Sequence, residues 1–87
     1  MTNIEVHAII IADRYKGDIS DEKKLHKLGE EMMELAVAFG KNDKENINEE
    51  IGDVAFVLLH FAKRMNPNKS LLQYIEEAAE KMELKYS

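Results

Sequence analysis

Two short acidic blocks in this 87-residue sequence contain the residues that are best suited, by type and spacing, to bind a cation or to catalyse a reaction. Glu31 and Glu34 lie three residues apart, and so do Glu50 and Asp53. Residues three apart lie on the same face of a helix, where like charges repel each other. Carboxylates are almost never buried unless they are paired or bind a metal. If the four side chains face one space between two helices, a cation has to neutralise them.

The ligand type narrows the choice of cation. The chain has no cysteine, which excludes a thiolate zinc site. No Glu has a His three residues after it, as di-iron helical bundles need, and the spacing of an EF-hand calcium loop is absent. Carboxylate oxygens alone suit Mg²⁺, Mn²⁺ or Ca²⁺, and Mg²⁺ usually keeps positions for water and phosphates. The acids therefore predict a Mg²⁺ site, with Mn²⁺ as a substitute, and chemistry on a phosphate ester or anhydride.

Four amphipathic helices are predicted to position these acids. Apolar residues recur at helical spacing along the chain, and only four glycines and one proline interrupt it. The first helix is indicated by the apolar stripe Ile4, Ala8, Ile11 and Tyr15. The second is predicted to begin after the N-cap Ser20 and to be terminated by Gly40. Capping boxes, Asn46 with Glu49 and Ser70 with Gln73, are predicted to begin the third and the fourth. Short loops between four helices predict an all-α fold, a four-helix antiparallel bundle.

The third helix is expected to be buried on most sides, because residues Val54 to Phe61 are apolar almost all round. His60 within it is expected to be a hydrogen-bonded core or interface residue rather than a catalyst. Gly29 and Gly52 lie beside the acids and indicate a close approach of the two acidic helices. The chain is short, and the third helix has more apolar surface than three neighbouring helices of this size can easily cover, so a homodimer or a dimer of dimers is predicted.

The length and the net charge of the chain indicate how many domains it has and which classes of partner are not expected for it. The length predicts a single domain over residues 1–87. The formal net charge of −5 argues against non-specific binding of nucleic acid. The longest apolar stretch, Val54 to Ala62, falls short of the ~20 residues that a membrane span needs, and no signal peptide is recognised. We therefore expect a cytoplasmic protein with neither a nucleic acid nor a membrane as its partner.

The acidic blocks and their flanks resemble a known family. The segment Lys27-Leu28-Gly29-Glu30-Glu31-Met32-Met33-Glu34-Leu35, followed by Glu49-Glu50-Ile51-Gly52-Asp53-Val54, resembles the all-α nucleoside triphosphate pyrophosphohydrolases of the MazG-like superfamily. The signature of that family is Glu-Glu-x-x-Glu on one helix and Glu-x-x-Asp on the next. Fifteen residues lie between Glu34 and Glu50, which fits the family spacing. The resemblance extends from the second helix to the end of the chain.

The resemblance implies a role for each motif residue. The implied metal ligands are Glu31, Glu34, Glu50 and Asp53, and the implied catalytic acids, which help to deprotonate the attacking water, are Glu30 and Glu31. The implied substrate-binding residues are Lys27, Lys81 and Lys85, although Met82 and Lys85 stand where the family often has Asn and Arg. Lys81 and Lys85 also fit a simpler role at the C-terminal end of a helix, where cations are favoured.

The activity that the resemblance implies is Mg²⁺-dependent hydrolysis of a nucleoside triphosphate to the monophosphate and pyrophosphate, in a pocket near a subunit interface. Two alternatives remain open. A phosphoribosyl-ATP pyrophosphohydrolase shares the architecture, and a panel of substrates would distinguish it. A helical interaction module without catalytic activity would bind no divalent metal and release no pyrophosphate.

Overall fold

Four α-helices and no strand make up the fold in the computed structural model, which describes all residues from Met1 to Ser87. They are α1 (Asn3–Lys16), α2 (Asp21–Gly40), α3 (Lys44–Met65) and α4 (Leu71–Tyr86). The predicted all-α class with four helices is therefore confirmed. None of the helices combines the length and the apolarity that crossing a membrane requires.

Two of the predicted helix starts are confirmed by their caps. The side chain of Ser20 accepts a hydrogen bond from the backbone N–H of Lys23, at 3.2 Å, at the start of α2. Before α4, Ser70 and Gln73 form a reciprocal capping box, with distances of 3.1 and 2.6 Å. Such caps satisfy backbone donors that have no partner inside the first turn.

The connection between α2 and α3 differs from the prediction. Gly40, predicted to follow the second helix, is the last residue of α2, and the chain reverses at Asn42, whose φ of 54° is in the left-handed region that Asn tolerates better than most residues. Asp43 then caps α3 by accepting from the backbone N–H of Asn46 at 3.2 Å. The predicted cap at Asn46 was therefore wrong, because an Asp three residues earlier provides a good capping oxygen.

Packing within the chain centres on α3, which contacts α2 along much of its length and also contacts α1. The buried apolar residues are few and mostly small: Ile9, Ala12, Ala38, Leu59 and Ala62. The predicted stripe of α1 was wrong, since Ile4 and Tyr15 are exposed while Ile9 and Ala12 are buried. The run of three isoleucines from 9 to 11 makes more than one apolar face possible, so periodicity alone could not select the right one.

The fourth helix contributes no buried residue, so the predicted bundle is not closed within one chain. Large apolar side chains stay exposed on α4, among them Leu72 and Ile75. The prediction that α3 is buried on most sides is wrong for the single chain, because Ile51 and Leu58 are also exposed. The helix still contributes to the core through its buried residues Leu59, His60 and Ala62.

The prediction of a glycine-mediated close approach between the acidic helices was also wrong. A Cβ atom added at Gly29 or at Gly52 would meet nothing within 4 Å. Both glycines therefore leave open space beside the acids in the single chain.

One buried carboxylate ties the start of α4 to α1. Oε2 of Glu5 accepts from the backbone N–H of Thr2 at 3.0 Å, and Oε1 accepts from the backbone N–H of Leu71 at 2.6 Å. The hydrogen bond from Thr2 lowers the pKa of Glu5, and that from Leu71 adds to the effect, while burial opposes them. A single side chain thus caps α1 and also satisfies the first donor of α4.

Replacing Glu5 with Ala should therefore destabilise the protein. We expect Glu5→Ala to lower the free energy of unfolding at pH 7 by about 2–4 kcal/mol, because two backbone donors lose a charged acceptor. The lowered pKa means that this stabilisation is present above the ordinary value of 4.5 and is lost as the pH falls through the folded-state pKa. Urea unfolding at pH 7 and pH 3 measures both effects. Glu80→Ala, at an exposed site on α4, is the control, and equal losses in the two variants would contradict the bridge.

Candidate metal centre and cavity

Three carboxylates from two helices converge on one point. One oxygen each from Glu31 on α2 and from Glu50 and Asp53 on α3 lie within 4.8 Å of one another. Glu31 is buried and Asp53 is exposed, so the cluster reaches from the interface of the two helices to the surface. The structure therefore brings together three of the four acids that the sequence singled out as metal ligands.

The cluster contains two polar atoms that the chain itself does not satisfy. Oε2 of Glu31 and Oε2 of Glu50 are buried and accept no hydrogen bond. Buried carboxylate oxygens without a donor are costly. A cation bound among them would remove that cost, and a set of hard oxygen ligands fits Mg²⁺, Mn²⁺ or Ca²⁺. The residues present thus fit a divalent metal.

The two buried carboxylates have opposite electrostatic environments. Burial, followed by the negative charges of Glu34, Asp53 and Glu31, raises the pKa of Glu50 to about 7. Lys27 instead lowers the pKa of Glu31 by donating a hydrogen bond to it at 2.9 Å. Without a cation, Glu50 is therefore the member of the cluster that holds a proton near neutral pH.

The remaining predicted acids lie beside the cluster. Glu34 is exposed and contributes no oxygen to the group of three, although its charge raises the pKa of Glu50. Glu30 is exposed, lies 3.8 Å from Nζ of Lys27 and lines the cavity described next. Their roles as ligand and catalyst stay predictions.

A cavity of about 590 Å³ opens beside the cluster, between the end of α1 and the facing sides of α2 and α3. Glu31 and Asp53 lie in its wall. The basic residues in the same wall are Lys16, Lys23, Lys24, His26 and Lys27. Acids that suit a cation and lysines that suit an anion therefore line one space, which favours a polyanion that binds together with a metal.

Lys24 is the one buried lysine of this cavity, with 5% of its surface exposed. Its Nζ donates to the backbone carbonyl of Ile19 at 2.5 Å. The nearest carboxylate, Asp21, is 3.8 Å away and is itself bound by Arg64 at 3.0 Å. The ammonium group thus shares its nearest counter-ion with Arg64, so its charge is only partly compensated and a further acceptor from a ligand would be favourable.

His60 lines the other part of the cavity wall and is buried, as predicted, with a hydrogen-bond partner. Its Nε2 lies 3.0 Å from Oδ1 of Asp13 on α1. The second oxygen of Asp13 accepts from Nζ of Lys63 at 2.6 Å. That bond lowers the pKa of Asp13, and His60 contributes to the same effect. Asp13 therefore holds the imidazole in a fixed position in the wall.

The predicted substrate-binding lysines fall in two places. Lys27 lines the cavity, whereas Lys81 and Lys85 are exposed on α4 and do not line it. Their contact with a substrate stays a prediction. Neither Lys24 nor the place of His60 in this wall was predicted, although helical spacing gave a signal for both. Lys24 lies seven residues before Glu31, and His60 seven residues after Asp53, so each shares a helix face with a cluster acid.

Comparison with known proteins gives one family match. A family model described as the MazG nucleotide pyrophosphohydrolase domain matches residues 19–86, which include all three cluster acids, the buried lysine and the buried histidine. No curated protein and no solved structure matches the chain significantly.

Proposed function

The chain belongs to the MazG nucleotide pyrophosphohydrolase family, and from that premise we propose that it hydrolyses a nucleoside triphosphate between the α and β phosphates. The products would be the nucleoside monophosphate and pyrophosphate, and the reaction would depend on Mg²⁺. The observation that carries this proposal is the convergence of three carboxylates with two unsatisfied buried oxygens on the wall of a lysine-lined cavity.

Glu31, Glu50 and Asp53 would hold the metal, and the neighbouring Glu34 would complete the set of ligands. A bound Mg²⁺ supplies neutralisation of phosphate charge and activation of water. The family match and the pattern of oxygen ligands support this assignment. Mn²⁺ is the expected substitute, because it accepts the same oxygen ligands.

The chain's own side chains would bind the phosphates and move the proton. Lys27, one turn before Glu31 on α2, would donate to phosphate oxygens, and Lys24, one turn further from the acids on the same face, would donate to an oxygen of the substrate beyond them. Glu30 lies in the cavity wall directly next to Glu31, and one of these two carboxylates would accept the proton of the attacking water. The acidic cluster prevents a phosphate from binding alone, so the substrate would enter with its cation.

The buried ammonium of Lys24 gives a specific test of substrate binding in this cavity. Lys24→Met keeps an unbranched chain of similar length and removes the charge. We expect the KM for the triphosphate to rise about tenfold or more, because a hydrogen bond to a charged group contributes roughly 1.5–3 kcal/mol. Steady-state kinetics measured as pyrophosphate release gives the value.

The control for this test is Lys41→Met, since Lys41 is exposed and lies outside the cavity. It should leave KM unchanged. A Lys24→Met protein that folds and keeps the wild-type KM would show that this ammonium group does not contact the substrate.

We also propose that the chain works as a homo-oligomer, a dimer or a tetramer. The exposed apolar side chains of α3 and α4, such as Ile51, Leu72 and Ile75, support this, as does the lack of any buried residue on α4. Association would cover these faces. It would also allow Lys81 and Lys85 of one copy to approach phosphates bound to another.

The direct test of the function is pyrophosphate release from a panel of common and modified nucleoside triphosphates, with Mg²⁺ and with a chelator. We expect equal amounts of monophosphate and pyrophosphate with Mg²⁺ and none with the chelator. Release of orthophosphate alone, or no product from any member, would overturn the proposal. Turnover confined to phosphoribosyl-ATP would favour the alternative enzyme.

A further inference from the structure

A second polar group faces the substrate cavity at a distance from the acids. His60 and Asp53 lie seven residues apart on α3, which is two turns and an axial rise of about 10 Å. Both line the cavity, with Phe56 and Val57 between them on the same face. A ligand that extends along this wall from Asp53 would contact first the acids, then the apolar side chains of Phe56 and Val57, and finally the imidazole of His60.

This order matches the parts of a nucleotide. The phosphates require the acidic cluster with its cation, the sugar and the face of the base suit Phe56 and Val57, and the base edge needs a hydrogen-bonding partner. His60 is too far along the helix from the acids to exchange a proton with the reacting phosphate. Its position therefore suits binding and not catalysis.

Asp13 determines which hydrogen-bonding group His60 presents. Both oxygens of Asp13 accept hydrogen bonds, one from His60 and one from Lys63. An ionised carboxylate can only accept, so Nε2 of His60 carries the hydrogen. In the neutral imidazole, Nδ1 is then an acceptor. No group of the chain hydrogen-bonds to Nδ1.

We propose that His60, positioned by Asp13, recognises the nucleobase by accepting at Nδ1 a hydrogen bond from an amino or imino N–H of the base edge. This inference rests on the proposed function, since it places the triphosphate at the acids. Phe56 packs against the flat face of the base. Asp13 is a positioning residue, because it acts on the base only through the imidazole.

Binding of nucleoside monophosphates in the presence of Mg²⁺ tests this inference separately from turnover, because a monophosphate has no anhydride bond to hydrolyse. Calorimetry with the adenosine, guanosine, cytidine and uridine 5′-monophosphates is expected to show one base preferred by about tenfold, the value of one well-made hydrogen bond. His60→Gln keeps a donor that can reach Asp13 but removes Nδ1, so we expect this preference to disappear. Asp13→Asn no longer enforces one tautomer, and we expect a reduced preference together with altered ¹⁵N shifts of the His60 ring.

The control is His7→Gln, at an exposed histidine of α1 outside the cavity, which should keep the wild-type preference. A wild-type protein that binds all four monophosphates equally, or a His60→Gln protein that keeps the preference, would overturn the inference. If no triphosphate is hydrolysed but a preference that depends on His60 is measured, the proposed function fails and the base-recognition role stands. If triphosphates are hydrolysed with a preference that survives in His60→Gln, only the inference fails.

Discussion

The Glu50→Gln protein is expected to lose pyrophosphate release and, without metal, to melt at a higher temperature than the wild type. Glutamine keeps the size of the side chain but cannot be ionised, so it removes a metal ligand and relieves repulsion from Glu34, Asp53 and Glu31. Because the charge stabilisation by a metal amounts to several kcal/mol, turnover should fall at least about a hundredfold. Pyrophosphate assays and thermal melts in a chelator measure the two effects.

The pH dependence of the thermal melts sharpens this test. The folded-state pKa of Glu50, about 7, lies above its ordinary value of 4.5. Stability from the protonated group is therefore complete below about pH 4.5 and is lost as the pH rises through 7. The advantage of Glu50→Gln over the wild type should accordingly be small at pH 5 and grow towards pH 8.

The matched control is Glu49→Gln, which makes the same chemical change at the preceding, exposed residue outside the cluster. It should keep normal turnover and show no such trend with pH. Normal turnover in Glu50→Gln would remove Glu50 from the metal site. A metal-free Glu50→Gln protein that is less stable at pH 8 than the wild type would mean that the carboxylates do not repel each other there.

The convergence of the acids could be predicted from the sequence because it depends on local rules. Spacing by three residues fixes the face within each helix, and a short connection makes α2 and α3 antiparallel neighbours. The three-residue loop with its left-handed Asn42 provides that connection. Glu31, Glu50 and Asp53 then meet without any information from distant parts of the chain.

The other half of the cavity depends on contacts that local patterns do not encode. Asp13 and His60 are 47 residues apart, and Glu5 and Leu71 are 66 apart. Both pairs depend on how α1 lies on the rest of the molecule. Periodicity gave the wrong face for that helix, because its consecutive isoleucines allow more than one apolar stripe. Neither helix of a pair such as Asp13 and His60 therefore carries a local pattern from which the contact could be predicted.

The second large effect concerns the wild-type protein with and without a divalent metal. We expect a metal at a hundred times its dissociation constant to add about 2.7 kcal/mol of stability, provided that it binds the folded state alone. For a chain of this size that corresponds to a rise in melting temperature of about 10–20 °C. The rise should appear with Mg²⁺ or Mn²⁺ and should be absent in Glu50→Gln.

This stabilisation has to come from binding at the cluster and not from general screening of the net charge of −5. Sodium chloride at equal ionic strength separates the two, since it screens exposed charges but cannot satisfy the buried oxygens of Glu31 and Glu50. Binding should also release protons at pH 7, because Glu50 has to be ionised to act as a ligand. Calorimetry in buffers of different ionisation enthalpy measures that release, and Glu49→Gln should reproduce the wild-type value. Equal stabilisation by sodium chloride and Mg²⁺ would leave the two buried oxygens unexplained and would count against a metal centre between α2 and α3.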